Sequence, residues 1–155
     1  TDWRIDGVGD ISGDGKADIL WRHTSSGLLW VYEMNGPVIS NNFSIATVGL
    51  EWQIAAIADL TGNGSADIVW RNQQSGQNWL YAMRQSTIES SAAINRVSDL
   101  NWQIAQAADF DGDGRADLLW RNATTGENAV YLMQGHQIEL IKGINSVPVE
   151  WRVVR

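Results

Sequence analysis

The chain of 155 residues is 44% hydrophobic and 19% charged, a balance typical of a globular protein with a core and not of a disordered tail. Its formal net charge of −7 argues against a nucleic acid or an anionic membrane surface as partner, because both attract basic faces. Cysteine is absent, which excludes disulfides and thiolate metal sites, and no apolar run of about 18 residues predicts insertion into a membrane.

A Trp-containing opening recurs along the chain and marks an internal repeat. It is found as Asp2-Trp3-Arg4-Ile5, Glu51-Trp52-Gln53-Ile54, Asn101-Trp102-Gln103-Ile104 and, near the end, Glu150-Trp151-Arg152-Val153. The first spacing is 49 residues (52 − 3) and the second is 50 (102 − 52). Such a period predicts repeated structural units. We place three units at 1–50, 51–100 and 101–149, followed by the first strand of a further unit at 150–155.

An acidic loop with two glycines follows each opening. The third loop is the richest, with four carboxylates between Asp109 and Asp117. Glycine permits the left-handed turns that fold a loop inward, and side-chain oxygens at loop positions 1, 3, 5 and 9, with the carbonyl at position 7, suit calcium. The sequence therefore predicts up to three calcium sites, one in each loop; the alternative is an acidic turn without a cation. The predicted ligands are Asp10, Ser12, Asp14, Lys16 and Asp18 in the first loop, Asp59, Thr61, Asn63, Ser65 and Asp67 in the second, and Asp109, Asp111, Asp113, Arg115 and Asp117 in the third, with Lys16, Ser65 and Arg115 contributing carbonyls.

The three loops are predicted to differ in calcium affinity. The third offers four carboxylates to the ion, the first three and the second two. Because carboxylate count sets much of the affinity of a calcium site, we expect the order third, first, second. The expected role is structural, since an ion that binds only the folded loop stabilises it by mass action.

Short apolar runs and glycine-marked turns complete each unit. The runs 17–22, 66–71 and 116–121 suit buried strands. After a turn at Gly27, Gly76 or Gly126 comes a segment in which Tyr and Met alternate, which is the period of a strand. The polar remainder of each unit predicts an outer edge strand. Four short antiparallel strands in about 50 residues predict an all-β fold of propeller blades.

An EF-hand is the competing calcium-binding motif, and the sequence excludes it. The EF-hand loop needs flanking helices and a bidentate Glu at position 12. In all three loops that position holds a tryptophan, namely Trp21, Trp70 and Trp120. Since tryptophan offers no oxygen to calcium, the EF-hand fails in every unit.

The residues from Asp109 onward read Asp-x-Asp-Gly-Asp-Gly-x-Ala-Asp-Leu-Leu-Trp-Arg-Asn, followed by Thr-Gly and Tyr-x-Met. This pattern resembles the FG-GAP/VCBS repeat of integrin-α-type β-propellers, bacterial surface proteins and fungal propeller lectins. The resemblance implies calcium loops on one rim of the propeller, sugar sites in the clefts between blades, and an extracellular or cell-surface location. Three blades do not close a ring of about four to eight. The chain is therefore either part of a longer propeller or, as we favour, a subunit of a homo-oligomer in which 150–155 pairs with another chain.

Two kinds of side chain at recurring positions are candidates for ligand binding. All nine tryptophans fall at three repeat positions, which favours packing between blades over a platform for sugar rings. The arginine after the second tryptophan of each unit is predicted to pair with carboxylates or carbonyls of its own blade, or to face a cleft and bind sugar hydroxyls. These weak ligand candidates are Arg22, Arg71 and Arg121.

Enzyme activity is not predicted. The two histidines, His23 and His136, occupy unmatched positions in their units and have no Ser or Cys partner in a motif. The aspartates are committed to the loops, so no glycosidase pair stands out. Two functions follow: a calcium-stabilised binding module for a glycan or a protein, or a purely architectural segment of a larger surface protein or hydrolase.

Overall fold

The computed structural model describes residues 2–151, and every helix or strand assigned in that range is a strand. No helix in the described part is long and apolar enough to span a membrane. The strands are β1 (Trp3–Gly9), β2 (Asp18–His23), β3 (Leu28–Asn35), β4 (Val38–Thr47), β5 (Trp52–Ala58), β6 (Asp67–Asn72), β7 (Gln77–Arg84), β8 (Thr87–Arg96), β9 (Trp102–Ala108), β10 (Asp117–Asn122), β11 (Asn128–Gln134) and β12 (Gln137–Ile144).

Three four-stranded antiparallel sheets are formed by β1–β4, β5–β8 and β9–β12, each in chain order. This confirms the predicted all-β class with three propeller-like blades, and the acidic loop joins the first two strands of each blade. The predicted strand at 150–155 falls mostly outside the described residues. Glu150 and Trp151 are described, and neither belongs to a strand.

Each blade has two apolar faces because strand side chains alternate. We call the face turned toward the following blade the forward face and the opposite one the backward face. In the first blade Leu20 and Val31 lie on the forward face; in the second, Ile68, Trp70 and Met83 lie on the backward face. These residues form one buried cluster, and a second cluster joins the second and third blades through residues such as Leu80 and Leu118. The core of the protein is therefore located between blades.

The acidic loops also connect neighbouring blades. Ile11 and Leu60, at loop position 2, have no exposed surface and belong to these clusters. Beside each, a backbone hydrogen bond crosses to the next loop: Ala66 N donates to Asp10 O at 2.6 Å and Ala116 N to Asp59 O at 2.7 Å. The spacing of the loops around the rim is thus fixed by their own backbones.

Candidate metal centre and inter-blade cleft

The third acidic loop gathers carboxylates most closely. Asp109, Asp111 and Asp117 each present an oxygen within 4.8 Å of the other two. Asp109 Oδ1 accepts from Gly112 N at 2.6 Å, and its Oδ2 accepts from Gly114 N at 3.0 Å. These backbone bonds lower the pKa of Asp109, which keeps it ionised. An all-oxygen, negatively charged donor set of this kind fits calcium.

The first and last aspartates play the same structural roles in every loop. The first accepts from several loop N–H groups, as Asp59 does from Gly62 N at 2.6 Å and Gly64 N at 2.7 Å. The last is buried and accepts from the base of the loop and from the third strand, as Asp67 does from Thr61 N at 3.0 Å and Met83 N at 2.8 Å. Backbone N–H groups therefore compensate the charge of these carboxylates, and they also stabilise the alternative, an acidic turn without a cation.

The loops differ at position 5. Asp14 binds Lys16 Nζ at 2.7 Å, and this hydrogen bond lowers the pKa of Asp14. Asp113 binds Arg115 NH1 at 2.9 Å and is not among the three clustered carboxylates of its loop. A basic side chain at position 7 thus competes with any cation for the carboxylate at position 5. Among the described residues, neither of the other loops brings three carboxylates together as the third does.

The second loop has the fewest charged side chains, and its position 5 is held by hydrogen bonds to the backbone. Asn63 Nδ2 donates to Met83 O at 2.8 Å, and Asn63 Oδ1 accepts from Ser65 N at 2.8 Å. Burial raises the pKa of Asp67 to about 6, so this carboxylate begins to protonate in mildly acidic solution. Both features are in line with the lowest predicted affinity, and the ligand sets of all three loops stay predictions.

The arginines that follow the second tryptophan are turned into the blade junctions. Arg22 is 1% exposed and donates to Val48 O at 2.9 Å, Gly49 O at 2.8 Å and Trp52 O at 2.6 Å. Its guanidinium carbon lies 5.2 Å from the centroid of Trp70 in the next blade. Arg71 binds Val97 O at 3.1 Å and stacks over Trp120 at 5.0 Å in the same way.

These contacts show what the recurring arginine does. It holds the segment that links two blades and stacks on the tryptophan of the following one. The predicted pairing of the arginine with carbonyls of its own blade is confirmed for Arg22, which binds Val48 O and Gly49 O. Its third carbonyl partner, Trp52 O, belongs to the next blade. Arg22 and Arg71 are buried, although Arg22 Nε has no acceptor among the described residues and Arg71 lines a small cavity of about 90 Å³ with Gln53, Gln73 and Gln103. Binding of sugar hydroxyls by these arginines stays a prediction. Arg121 is half-buried and makes the same link bonds.

Membership in a known family follows from the loops and the Trp-Arg positions together. The model of the FG-GAP-like repeat family matches residues 10–70 and 59–120, which together span 111 residues (120 − 10 + 1) of the 155. The chain belongs to the FG-GAP-like repeat family. A search of curated proteins finds no match to it.

The junction between the first two FG-GAP blades contains an aromatic cleft of about 250 Å³. It is lined by Trp52, Trp70, Trp79 and Tyr81 of the second blade and by Val48 of the first. Trp70 is 1% exposed, and its indole N–H has no hydrogen-bond acceptor among the described residues. Trp52, Trp79 and Tyr81 are half-buried, so part of each ring faces the cleft.

The prediction that tryptophans pack between blades is confirmed for Trp70 and Trp120, both 1% exposed. Sequence reasoning missed the partly open ring of Trp79. A signal was available, because this repeat position is tryptophan in the first two FG-GAP units and Ala129 in the third. A packing position essential to every blade would not tolerate alanine in one of them without a compensating change.

Proposed function

We propose that the protein is a calcium-stabilised, non-catalytic FG-GAP module of the extracellular space or cell surface that binds carbohydrate in the cleft between its first two blades. The observation that carries the proposal is the aromatic cleft, to which Trp52, Trp79 and Tyr81 each turn part of a ring. A protein ligand is the other partner that such a module would take.

The third loop is the calcium site that the geometry supports best. The oxygens of Asp109, Asp111 and Asp117 lie within 4.8 Å of one another, which is close enough to coordinate one ion. Asp109 and Asp117 are also held by backbone N–H groups, so the donors are positioned before an ion arrives. Membership in a repeat family that often binds calcium supports the same reading. Here the ion would fix the turn between β9 and β10.

The cleft has the chemistry that sugar recognition needs. Pyranose rings present an apolar face of C–H bonds that packs on an aromatic ring, and hydroxyls that require hydrogen-bond partners. Trp52, Trp79 and Tyr81 offer the rings. Tyr81 adds a phenolic hydroxyl, a group that can both donate a hydrogen bond to a sugar hydroxyl and accept one from it.

A glycan array with calcium and with a chelator tests the proposal, using the wild type and Trp79→Ala. We expect binding with calcium and loss of binding in the variant. Alanine is compatible with the fold at this position because Ala129 occupies it in the third blade. Trp151→Ala, which removes an exposed ring outside the cleft, is the matched control and should bind like the wild type. Silence of folded, calcium-loaded protein across the array would refute the carbohydrate ligand.

The architectural alternative is favoured by one observation. The buried guanidinium groups of Arg22 and Arg71 bind the carbonyls of the links between blades and stack on the tryptophan of the next blade, as expected of residues that recur for packing. If no glycan on the array binds, and Trp79→Ala changes the free energy of unfolding but not binding, the architectural function is the better account of the protein. The protein would then be a spacer or scaffold segment of a larger assembly.

A further inference from the structure

The guanidinium group of Arg71 is a buried positive charge that forms no ion pair with any of the described residues. Arg71 is 3% exposed, and no carboxylate of the described chain lies within 4.0 Å of it. Its NH1 donates to Gly76 O and to Asn78 Oδ1, both at 3.2 Å. Its NH2 donates to Val97 O at 3.1 Å and to Asp99 O at 3.3 Å. All four acceptors are neutral, so they satisfy hydrogen bonds and leave the charge uncompensated, whereas buried charges are normally paired.

The nearest acidic groups act on Arg71 only from a distance. Burial lowers the pKa of the Arg71 guanidinium, and Tyr131 and Asp99 oppose that effect. The carboxylate of Asp99 is exposed and is engaged elsewhere, since it accepts from Asn101 Nδ2 at 2.8 Å and from Asn122 Nδ2 at 3.2 Å. Solvent screens an exposed charge of this kind. Asp99 is therefore not the counter-ion of Arg71.

The equivalent arginine of the first blade does have a carboxylate beside it. Asp6 is the bulged residue of β1, and its Oδ2 lies 3.7 Å from Arg22 NH1. Its Oδ1 accepts from Arg4 Nε at 2.8 Å. In β5 the bulge falls on Ala55, and strand pairing places Gln53 at the position of Arg4. The second blade thus has the buried arginine without the carboxylate.

The two blades also place their surplus charge differently. Each set of three residues carries a net charge of +1, from two arginines and an aspartate in the first blade (+2 − 1) and from one arginine in the second. In the first blade the surplus charge is carried to solvent by Arg4, whose side chain is 51% exposed. In the second blade the only charge is the buried guanidinium of Arg71. Only the second junction therefore keeps its surplus charge inside the protein.

A polar cavity of about 90 Å³ adjoins this guanidinium, between the second and third blades. Ala55 lines it together with Arg71, so it opens at the position where the first blade has Asp6. Three exposed glutamines, Gln53, Gln73 and Gln103, surround its entrance, and no acidic residue lines it. Arg71 Nε has no acceptor among the described residues. The volume is well below the roughly 300–1,000 Å³ of a site for a drug-sized ligand, and it suits a small ion.

We propose that this cavity binds a small monovalent anion, with Arg71 as its counter-ion and the glutamine amides as further hydrogen-bond donors. Hydrogen bonds from a guanidinium to an anion are about twice as strong as those between neutral groups, and each amide offers two N–H donors. A free halide ion and the carboxylate group of a larger ligand share this chemistry. The anion would do for Arg71 what Asp6 does for Arg22. Because Gln53 and Gln103 belong to different blades, it would also link the second blade to the third.

Line broadening of the chloride NMR signal, measured on the full chain in calcium-containing buffer, tests this site. We expect excess broadening that saturates at one chloride per chain. Competition with formate and with glucuronate distinguishes the two sources of the anion. Displacement by glucuronate at lower concentrations than formate would identify the carboxylate of an acidic sugar, and equal or stronger displacement by formate would identify a free anion.

Ala55→Asp supplies the carboxylate that the second blade lacks and should abolish the excess broadening while Arg71 stays in place. The matched control is Ala105→Asp, the same change at the bulge of β9, which does not line the cavity. Gln103→Glu keeps the shape of an exposed side chain and adds a negative charge, so it should raise the chloride dissociation constant about tenfold or more. Gln106→Glu, exposed on the same strand and outside the cavity, should bind chloride like the wild type.

The reverse exchange is made in the first junction. Asp6→Ala removes the carboxylate beside Arg22 and should raise the number of bound chlorides from one to two. Circular dichroism shows whether each variant is folded. A wild type without excess broadening, a folded Ala55→Asp variant that broadens the signal as the wild type does, or a Gln103→Glu variant with unchanged affinity would each overturn the proposal.

Discussion

Position 3 of the acidic loop is the residue that most separates the three predicted calcium sites. It holds Asp111 in the third loop, where it joins the carboxylate cluster, and Ser12 in the first, where the hydroxyl donates to Asp10 at 3.4 Å. Because carboxylate count tunes calcium affinity, Asp111→Ser should weaken its site and Ser12→Asp should strengthen the first by about tenfold each, or about 1.4 kcal/mol.

Calorimetric calcium titration of the two variants against the wild type measures these shifts. Ser44→Asp, on the exposed outer strand, adds the same charge far from a loop and controls for general electrostatic attraction. If the reciprocal exchange leaves both affinities unchanged, position 3 does not coordinate the ion.

Arg22 is the clearest case of a single side chain that stabilises a junction. Burial lowers the pKa of its guanidinium, and Asp6 opposes that effect from 3.7 Å. Arg22→Ala would leave buried carbonyls without donors and uncover Trp70, so we expect a loss of about 3 kcal/mol in the free energy of unfolding. Arg22→Lys should retain only part of the wild-type stability, since one ammonium group cannot replace the planar, multidentate guanidinium group.

Urea unfolding measures the loss. Arg84→Ala is the matched control, because its ion pair with Glu89 at 2.6 Å is exposed to solvent and should contribute little to stability. Equal effects of the two alanine variants would contradict the role given to Arg22.

At the scale of the elements, the turn between the second and third strands is where the link to the next blade is anchored. Gly76 has φ +72°, and a Cβ on it would lie 2.1 Å from Val97 O, which is part of that link. Val97 N also donates to Gly76 O at 2.8 Å. We expect Gly76→Ala to destabilise the protein by about 1–3 kcal/mol, from backbone strain and the clash together.

The matched control for this prediction is Gly143→Ala in β12. No atom lies within 4 Å of the Cβ it would create, and its φ is not in the left-handed region. Its free energy of unfolding should change by no more than about 0.5 kcal/mol. Thermal unfolding of both variants under one set of conditions gives the comparison, and similar melting temperatures would contradict the account of the turn.

The sequence predicted the elements well because each is encoded locally. The period near 50 residues, the Trp openings, the glycine turns and the Tyr/Met alternation gave the strands and their order. Side-chain direction within the loops was not encoded in this way. Asp113 turns to Arg115, and Asn63 turns to Met83 O, which becomes a neighbour only after β7 has paired with β6. Phe110 is exposed because no following blade covers it within the described residues. Ile11, at the same loop position in the first blade, is covered by the second blade and is fully buried.

For the whole molecule, calcium should act as a stabilising ligand. An ion that binds only the folded state at a hundred times its dissociation constant contributes about 2.7 kcal/mol. For a chain of this size that corresponds to a rise in melting temperature of roughly 5–10 °C. Differential scanning calorimetry with calcium, with magnesium and with chelator measures it. Magnesium should do less, since it requires a smaller octahedral site, and identical melting temperatures in calcium and chelator would contradict a structural ion.

The three blades should unfold together, because the buried clusters belong to junctions and not to single sheets. Leu60 and Val69 of the second blade share one cluster with Leu118 of the third, and Ile11 joins the first blade to the second. A sheet that lost its neighbour would expose a whole apolar face, so partly unfolded states are costly. We expect a single transition with equal calorimetric and van't Hoff enthalpies, measured by differential scanning calorimetry. Leu60→Ala should lower the free energy of unfolding by about 2–5 kcal/mol. The melting temperature should fall, and unfolding should still occur in one transition. Two resolved transitions would mean that one blade is stable without its neighbour, and the junctions would then not be what holds this chain together.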